Sequence, residues 1–400
     1  MGLLSTFGWA TNGYFGVGYG AQNKGLAGTG VAWFKYALMN GNPAGHVFLG
    51  KQYQIGVGFF NPNRQYTVTG SPSPQPAFGL MPGTEKSDSK LFLMPSMGAN
   101  WMLNSKSSLS ATLFGNGGMN TDYPTATFHD ANSSTTGVDL GQMFLGITYS
   151  RMLGEKHSFG ITALGTFQYF EAKGLGMFAM MSSSPEKLTG NGHDNSYGFG
   201  VKLGYMGRLT DALTIGAAYQ PKINMREFDE YAGLFAEQGD FDIPSNFTVG
   251  LAFQFNEKLA VVADFKRINY SDVASVSNPM NLMVMLGADN GSGFGWKDIN
   301  IYKVGVEYDQ GNSWTFRGGF SHNDQPVPES EVLFNILAPG IIENHISLGC
   351  SKALGESGKA LHLAMVYAMP ASVKGTNPMD PALTIELEMN QFEFEIAFTF

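Results

Sequence analysis

One cysteine, Cys350, stands in 400 residues, so no disulfide within the chain can hold the fold together. It falls in a strand-like pattern beside Ile346 and Leu348, where a lipid-facing apolar role suits it. No uninterrupted apolar run approaches the roughly 18 residues of a transmembrane helix, which excludes the helical membrane class. Charge is scarce: Asp, Glu, Lys and Arg make up 14% of the chain, against the usual quarter or so. It sums to −9, which argues against a nucleic-acid partner. The first basic residue is Lys24, so the start lacks the charged opening of a signal peptide, and the numbering is read as that of a processed or recombinant mature chain. The histidines are scattered without ligand spacing, and the calcium-like stretch Asp289-Asn290-Gly291-Ser292-Gly293 has Asn300, not Glu, at its twelfth position. His345 and Ser347 share a strand face, but two such residues do not make a nucleophile with its base and orienting acid. No metal, no cofactor and no catalysis are expected.

Glycine and aromatics are abundant, with 52 glycines and 13% aromatic residues, and they recur in a period of two. Phe392, Phe394, Ile396, Phe398 and Phe400 alternate with Glu393, Glu395, Ala397 and Thr399. Tyr197, Phe199, Val201, Leu203 and Tyr205 alternate in the same way with Gly198, Gly200, Lys202 and Gly204. A bulky apolar face opposite a small or polar one describes a strand between lipid and a watery or crowded interior. Hydrocarbon offers no partner to an unpaired N–H or C=O, so such strands must close into a barrel. A strand of about 11 residues rises roughly 36 Å and, tilted near 45°, crosses a band of about 25 Å.

The pattern predicts strands near 46–60, 89–102, 106–117, 139–152, 157–170, 194–207, 212–225, 246–255, 258–270, 297–308, 313–323, 343–353, 359–369 and 388–400. The fold class is therefore all-β, a 14-stranded antiparallel transmembrane β-barrel. Tight links at 103–105, 153–156, 208–211, 256–257, 309–312 and 354–358 are assigned to the periplasm. Long links at 61–88, 118–138, 171–193, 226–245, 271–296, 324–342 and 370–387 are assigned to the cell exterior. Two of the long links carry apolar residues: Leu175, Met177, Phe178, Met180 and Met181 in one, and Phe228, Tyr231, Leu234 and Phe235 in the next. They read either as a lid of two loops packed on each other or as an apolar capture site, and the two readings are compatible.

Residues 1–45 do not alternate. They carry Gly16, Gly18, Gly20, Gly25, Gly28 and Gly30, then Trp33, Phe34 and Tyr36, and end Asn42-Pro43-Ala44-Gly45. No strand and no βαβ unit surround the glycines, so a dinucleotide loop is excluded; a compact, weakly charged segment of this kind fits inside a barrel.

The chain resembles the FadL-like (OmpP1/FadL/TodX) outer-membrane transporters of hydrophobic compounds. The likeness rests on Gly18-Tyr19-Gly20-Ala21, Gly25-Leu26-Ala27-Gly28, Asn42-Pro43-Ala44-Gly45, Phe114-Gly115 ahead of Thr121-Asp122-Tyr123, Gly216-Ala217-Ala218-Tyr219, Ile243-Pro244, Tyr302 to Tyr308, and Arg317-Gly318-Gly319-Phe320 followed by Pro326-Val327-Pro328. It implies a hatch over residues 1–45 plugging a barrel over residues 46–400, with Asn42, Pro43 and Ala44 in the hatch motif. It also implies capture between outer loops, binding in the lumen and lateral release through a kink in the third strand, here Phe114, Gly115, Asn116, Gly117 and Gly118. The glycines agree independently, since they weaken a strand and mark bulges, although a loop that begins early would read the same.

Lys202, Lys303 and Arg317 face inward as candidate contacts for a ligand carboxylate, with Asp264 and Glu307 near enough to pair with them instead. The expected function is uptake of hydrophobic small molecules, long-chain fatty acids or aromatic and alkyl hydrocarbons, across the outer membrane of a Gram-negative bacterium. A monomer in contact with outer-membrane lipid and lipopolysaccharide is expected. The competing readings are a general porin, which would keep an open and charged lumen, and a surface-exposed structural or adhesive barrel.

Overall fold

A strand with one bulky apolar face is stable in a bilayer only when both its edges are paired, and in the computed structural model, which describes residues 11–39, 41–74, 78–355 and 358–400, every long strand pairs with a neighbour on each side. Fourteen long strands follow one another among the described residues: β1 (Gln52–Gly70), β2 (Phe92–Asn104), β3 (Ser107–Tyr123), β4 (Thr136–Leu153), β5 (His157–Lys173), β6 (Asp194–Arg208), β7 (Leu213–Gln220), β8 (Asn246–Gln254), β9 (Leu259–Ile268), β10 (Ile299–Gly311), β11 (Trp314–Asn323), β12 (Asn344–Ala353), β13 (Ala360–Thr376) and β14 (Leu383–Thr399). Each pairs antiparallel with the next, and β14 returns to β1 from Leu383↔Gly70 to Thr399↔Gln54, which closes the cylinder. The outward face forms an apolar belt in which Phe199 is 82% exposed and Leu348 63%, exposures that lipid accommodates and water would not. The expected hatch residues 1–10 and 40, loop residues 75–77 and turn residues 356–357 lie outside the described residues.

Strand ends depart from expectation in both directions. The first strand begins at Gln52, not 46, because Pro43–Phe48 forms a 3-10 turn started by Asn42 and Pro43. The links expected at 61–88, 118–138 and 370–387 are shortened by ladders that run on: β1 reaches Gly70 and pairs with a short strand Gly83–Lys86, β3 reaches Tyr123, and β13 and β14 run to Thr376 and from Leu383. In these extensions the inward face stays apolar, with Tyr66, Val68, Ile385 and Leu387 buried, while the outward face turns polar at Gln65, Thr67 and Thr69. The strands leave the membrane without ending, so loss of the lipid-facing pattern was no sign of a loop. In β7 the ladder stops at Gln220, before Pro221, and not at 225.

Several inward-facing glycines of the wall share one cause. Residues 11–49 are surrounded by the wall: Ala37 lies against Gly98 of β2, Tyr14 against Gly117 of β3, Pro43 against Gly160 of β5, Asn42 against Gly204 of β6, Val31 against Gly216 of β7, Leu26 against Gly305 and Gly319 of β10 and β11, and Gly25 against Gly349 of β12. A side chain at these wall positions would collide with the segment's backbone. Contacts on opposite walls place the segment in the lumen.

Candidate functional site

Asn42 is fully buried and fixes the segment to the wall. Its Oδ1 accepts the N–H of Ala44 at 3.0 Å, capping the 3-10 turn, while its Nδ2 donates to the carbonyls of Val31 at 2.6 Å and Tyr205 at 2.9 Å. The turn is fastened in its own right by the Ser150 hydroxyl, which donates to the Pro43 carbonyl, and by Ser158 Oγ, which donates to the Ala44 carbonyl at 2.9 Å. Asn42, Pro43 and Ala44 thus form one clamp in which an amide side chain supplies both an acceptor and two donors, which no other small side chain can do.

The third strand carries the irregularity its glycines suggested. Pairing with β4 shifts between Gly115 and Gly117, leaving Asn116 as a bulge, and the strand then continues to Tyr123, so the loop does not begin early. Pairing with β2 stops at Met97↔Leu113. The two sides meet again only above, where the Asp88 N–H donates to the Asp122 carbonyl at 2.7 Å and the Asp122 N–H to Ser87 Oγ at 3.0 Å. Between these closures the described residues leave a stretch of the wall without ladder pairing. Residues 14–17 cover it from inside: Phe15 pairs with Gly117, the Gly118 N–H donates to the Tyr14 carbonyl at 3.1 Å, and Val17 packs on Phe60, Phe92 and Met94. Asn116, freed from the ladder, accepts the Tyr19 hydroxyl at 2.8 Å and donates to Gln142 Oε1 at 3.0 Å, while the Phe114 ring lies 4.7 Å from that of Tyr19.

Of the loop residues singled out, Leu175, Phe178, Leu234 and Phe235 line one apolar cleft at the outer end. Phe228 and Tyr231 lie behind it, their rings 5.7 and 4.8 Å from Phe170. Burial pushes the Tyr231 hydroxyl up to about 12, which keeps it a proton donor to the Gly192 carbonyl at 2.6 Å. Met181 is half-buried against the same cluster, whereas Met177 and Met180 face outward. The next two long loops complete the cleft with Leu286, Phe294, Phe334 and Leu337, which the sequence reading left out. Leu286 ends the apolar run 282–286, and Phe334 and Leu337 lie three apart in the mostly apolar run 332–338, a signal that could have found them; Phe294 alone stands without one. The cleft holds about 30 Å³, far below the roughly 300–1,000 Å³ of a small-molecule site, so the loops are shut.

The inward cations separate into two groups. Lys202 and Lys303 come together with Lys266 and Asp264 around the glycine loops of the segment, in a cavity of about 40 Å³. Asp264 Oδ2 accepts the N–H groups of Gly30 and Val31 at 2.7 and 3.1 Å, Lys303 Nζ donates to the Val17 carbonyl at 2.6 Å, and Lys266 Nζ lies 5.1 Å from the Phe15 ring. Lys266 was legible, since it lies two residues from Asp264 on the same strand face. Arg317 lies apart, its Nε donating to Glu307 Oε2 at 2.7 Å and its guanidinium also to Ser351 Oγ at 2.6 Å. A third buried group was not expected: Lys24 bridges Glu393 and Glu395 of β14, reaching the second at 2.6 Å.

A closed barrel with an apolar outer belt and an occupied lumen defines a membrane protein that crosses a bilayer with strands. The profile of the family described as outer membrane protein transport protein (OMPP1/FadL/TodX) matches residues 15–351, and the chain belongs to that family. Among solved structures it is similar to a Pseudomonas aeruginosa FadL homologue (16% identity, 97% of this chain and 99% of that one, TM-score 0.74) and to the Pseudomonas putida toluene transporter TodX (20% identity, 97% and 99%, TM-score 0.69). It is likewise similar to the Ralstonia pickettii toluene transporter TbuX (18% identity, 96% and 98%, TM-score 0.65). At these identities the likeness establishes the fold. No curated protein matches the sequence.

Proposed function

We propose that this protein carries hydrophobic small molecules inward across the outer membrane and releases them sideways into the lipid. The observation that supports it best is the unpaired stretch between β2 and β3, covered from inside by residues 14–17 and joined to the outer cleft by one buried apolar cluster that contains Phe178, Phe235, Tyr14 and Phe15. An apolar cargo gains about 25 cal/mol per Å² of surface withdrawn from water. Lipid receives it without returning it to water, so a lateral exit has no desolvation step to reverse. On this reading residues 1–45 act as the hatch and Leu175, Phe178, Leu234 and Phe235 form the capture site. Movement of Tyr14 and Phe15 then opens the wall. The relatives' names include toluene transporters and a FadL homologue, which supports aromatic hydrocarbon and fatty acid alike as cargo classes. Lys266 and Lys303 gathered with the one carboxylate of Asp264 around the hatch glycines favour a cargo with an acidic head group.

Binding and uptake separate the parts of this proposal. Deleting Asn116 restores one-for-one pairing of β3 with β4 and should abolish uptake while ligand binding to purified protein persists; undiminished uptake would rule out the lateral exit. In a panel of long-chain acids, alkanes and alkylbenzenes, Lys266→Met with Lys303→Met should weaken acids about tenfold or more, as loss of charged hydrogen bonds entails, and leave neutral ligands unchanged. Equal loss for all ligands would mean that the lysines only hold the hatch.

A further inference from the structure

The outer surface of the wall across β4–β8 carries a groove that cargo transport does not use. On the inside, Gly160 and Gly216 lie directly under the backbone of the hatch at Pro43 and Val31, while Gly204 meets the Asn42 side chain and Gly250 the side chains of Asp264 and Val31, so the wall and the segment approach closely along these strands. On the outside of the same strands, Ala217 stands in register between Tyr205 and Val249, a methyl group among large side chains. The result is a groove of about 780 Å³ walled by Phe159, Ile161, Leu203, Tyr205, Tyr219 and Val249. The charged residue lining it is Arg151, exposed at its lower rim; the neighbouring turn charges Glu155, Lys156, Arg208 and Asp211 line the mouth of the lumen instead.

Position along the membrane normal selects the occupant. The floor strand β7 has eight residues, a rise of about 26 Å that, at a tilt near 45°, covers roughly 18 Å, little more than one leaflet of a hydrocarbon core about 30 Å thick. It starts at the short-turn, periplasmic end, so the groove belongs to the inner leaflet and lipopolysaccharide cannot reach it. We propose that the groove is a specific site for one phospholipid of the inner leaflet, with an acyl chain laid over Ala217 and the phosphodiester held by Arg151. A guanidinium pairs with phosphate through two parallel N–H donors, and Tyr149 and Tyr205 supply the interfacial aromatics that flank a head group. A chain in this groove backs the wall where Asn42 clamps the hatch from within, which gives the lipid a structural role at that contact.

The test uses full-length protein in lipid nanodiscs doped with phosphatidylglycerol bearing a photoreactive diazirine in its acyl chain. After irradiation, mass spectrometry should find label concentrated on peptides of residues 157–163 and 213–220, with little on the outward residues of β10 and β11. Ala217→Trp fills the groove from the lipid side, where the barrel tolerates bulk; it should cut labelling about fivefold or more with heat-modifiable migration retained, and Arg151→Gln should do the same while Arg151→Lys partly restores it. A diacylglycerol probe with the same chain and no phosphate should label as weakly as the Arg151→Gln protein. Even labelling around the wall, or labelling indifferent to Ala217→Trp, would overturn the site; equal labelling by the phosphate-free probe would overturn the Arg151 assignment. Cargo binding and uptake are read separately, so failure here leaves the transport proposal untouched.

Discussion

Asn42 ties the luminal segment to itself and to the wall, because its amide satisfies a turn N–H and two carbonyls in a fully buried site. Asn42→Ala leaves two buried carbonyls and one turn N–H without that partner, at a cost of about 1–3 kcal/mol for each group left unsatisfied. A net loss near 2 kcal/mol raises local opening about thirtyfold, so amide hydrogen exchange over residues 30–50 should accelerate by that order while the strand ladders stay protected. Unchanged exchange would mean that Ser150 and Ser158 hold the turn unaided. The Asn-Pro-Ala stretch stood out in the sequence as the motif of the family resemblance, but nothing in it indicated that the anchoring carbonyl would be Tyr205, more than 160 positions away.

Among the elements, the outer loop at 226–245 carries a titration that couples its closure to acidity. Asp240 lies beside Asp242 and is pushed from 3.8 up to about 7, by burial first and by the Asp242 carboxylate next, with Glu237 adding and Lys222 opposing. Lys222 is committed to Asp242, Nζ to Oδ2 at 2.6 Å. A carboxyl whose value is higher in the closed loop than in the open one holds more protons when closed, so closure is strongest below about pH 4 and weakens as pH rises through about 7. Exchange and proteolytic cleavage in this loop should therefore increase from pH 5 to pH 8, and Asp240→Asn should remove the dependence. A loop equally protected at both values in the native protein would contradict it. The sequence marks neither acid; Phe241 between them packs against Tyr14, leaving Asp242 buried and Asp240 half-buried.

The whole molecule is a wall around a luminal segment, and the ion group at Lys24 joins the two on β14, one strand away from the β2 edge of the proposed exit. Lys24 is buried with Glu393 and Glu395, so Lys24→Met strands two carboxylates in a dry site, and breaking a buried pair in this way typically costs about 3–5 kcal/mol. Planar-bilayer recordings of Lys24→Met should show frequent large conductance events where the native protein is quiet. Replacing all three as Lys24→Met with Glu393→Gln and Glu395→Gln should restore the quiet state, since no charge then remains unpaired. A permanently open native channel would instead favour the general porin.

Sequence alone determined the strand period, the even number of strands and the alternation of short and long links. Each is a local consequence of one face meeting lipid, and local patterning survives in the linear chain. It also marked Asn42, the glycines of the third strand and the apolar loop residues as unusual. The tertiary structure alone decided what those residues meet: that Gly117 leaves room for Tyr14, that β2 and β3 part above Leu113, and that Lys266 joins Lys202 and Lys303 while Arg317 goes to Glu307. Those pairings join positions far apart in the chain, and a closed cylinder brings them together only once its shear and register are set.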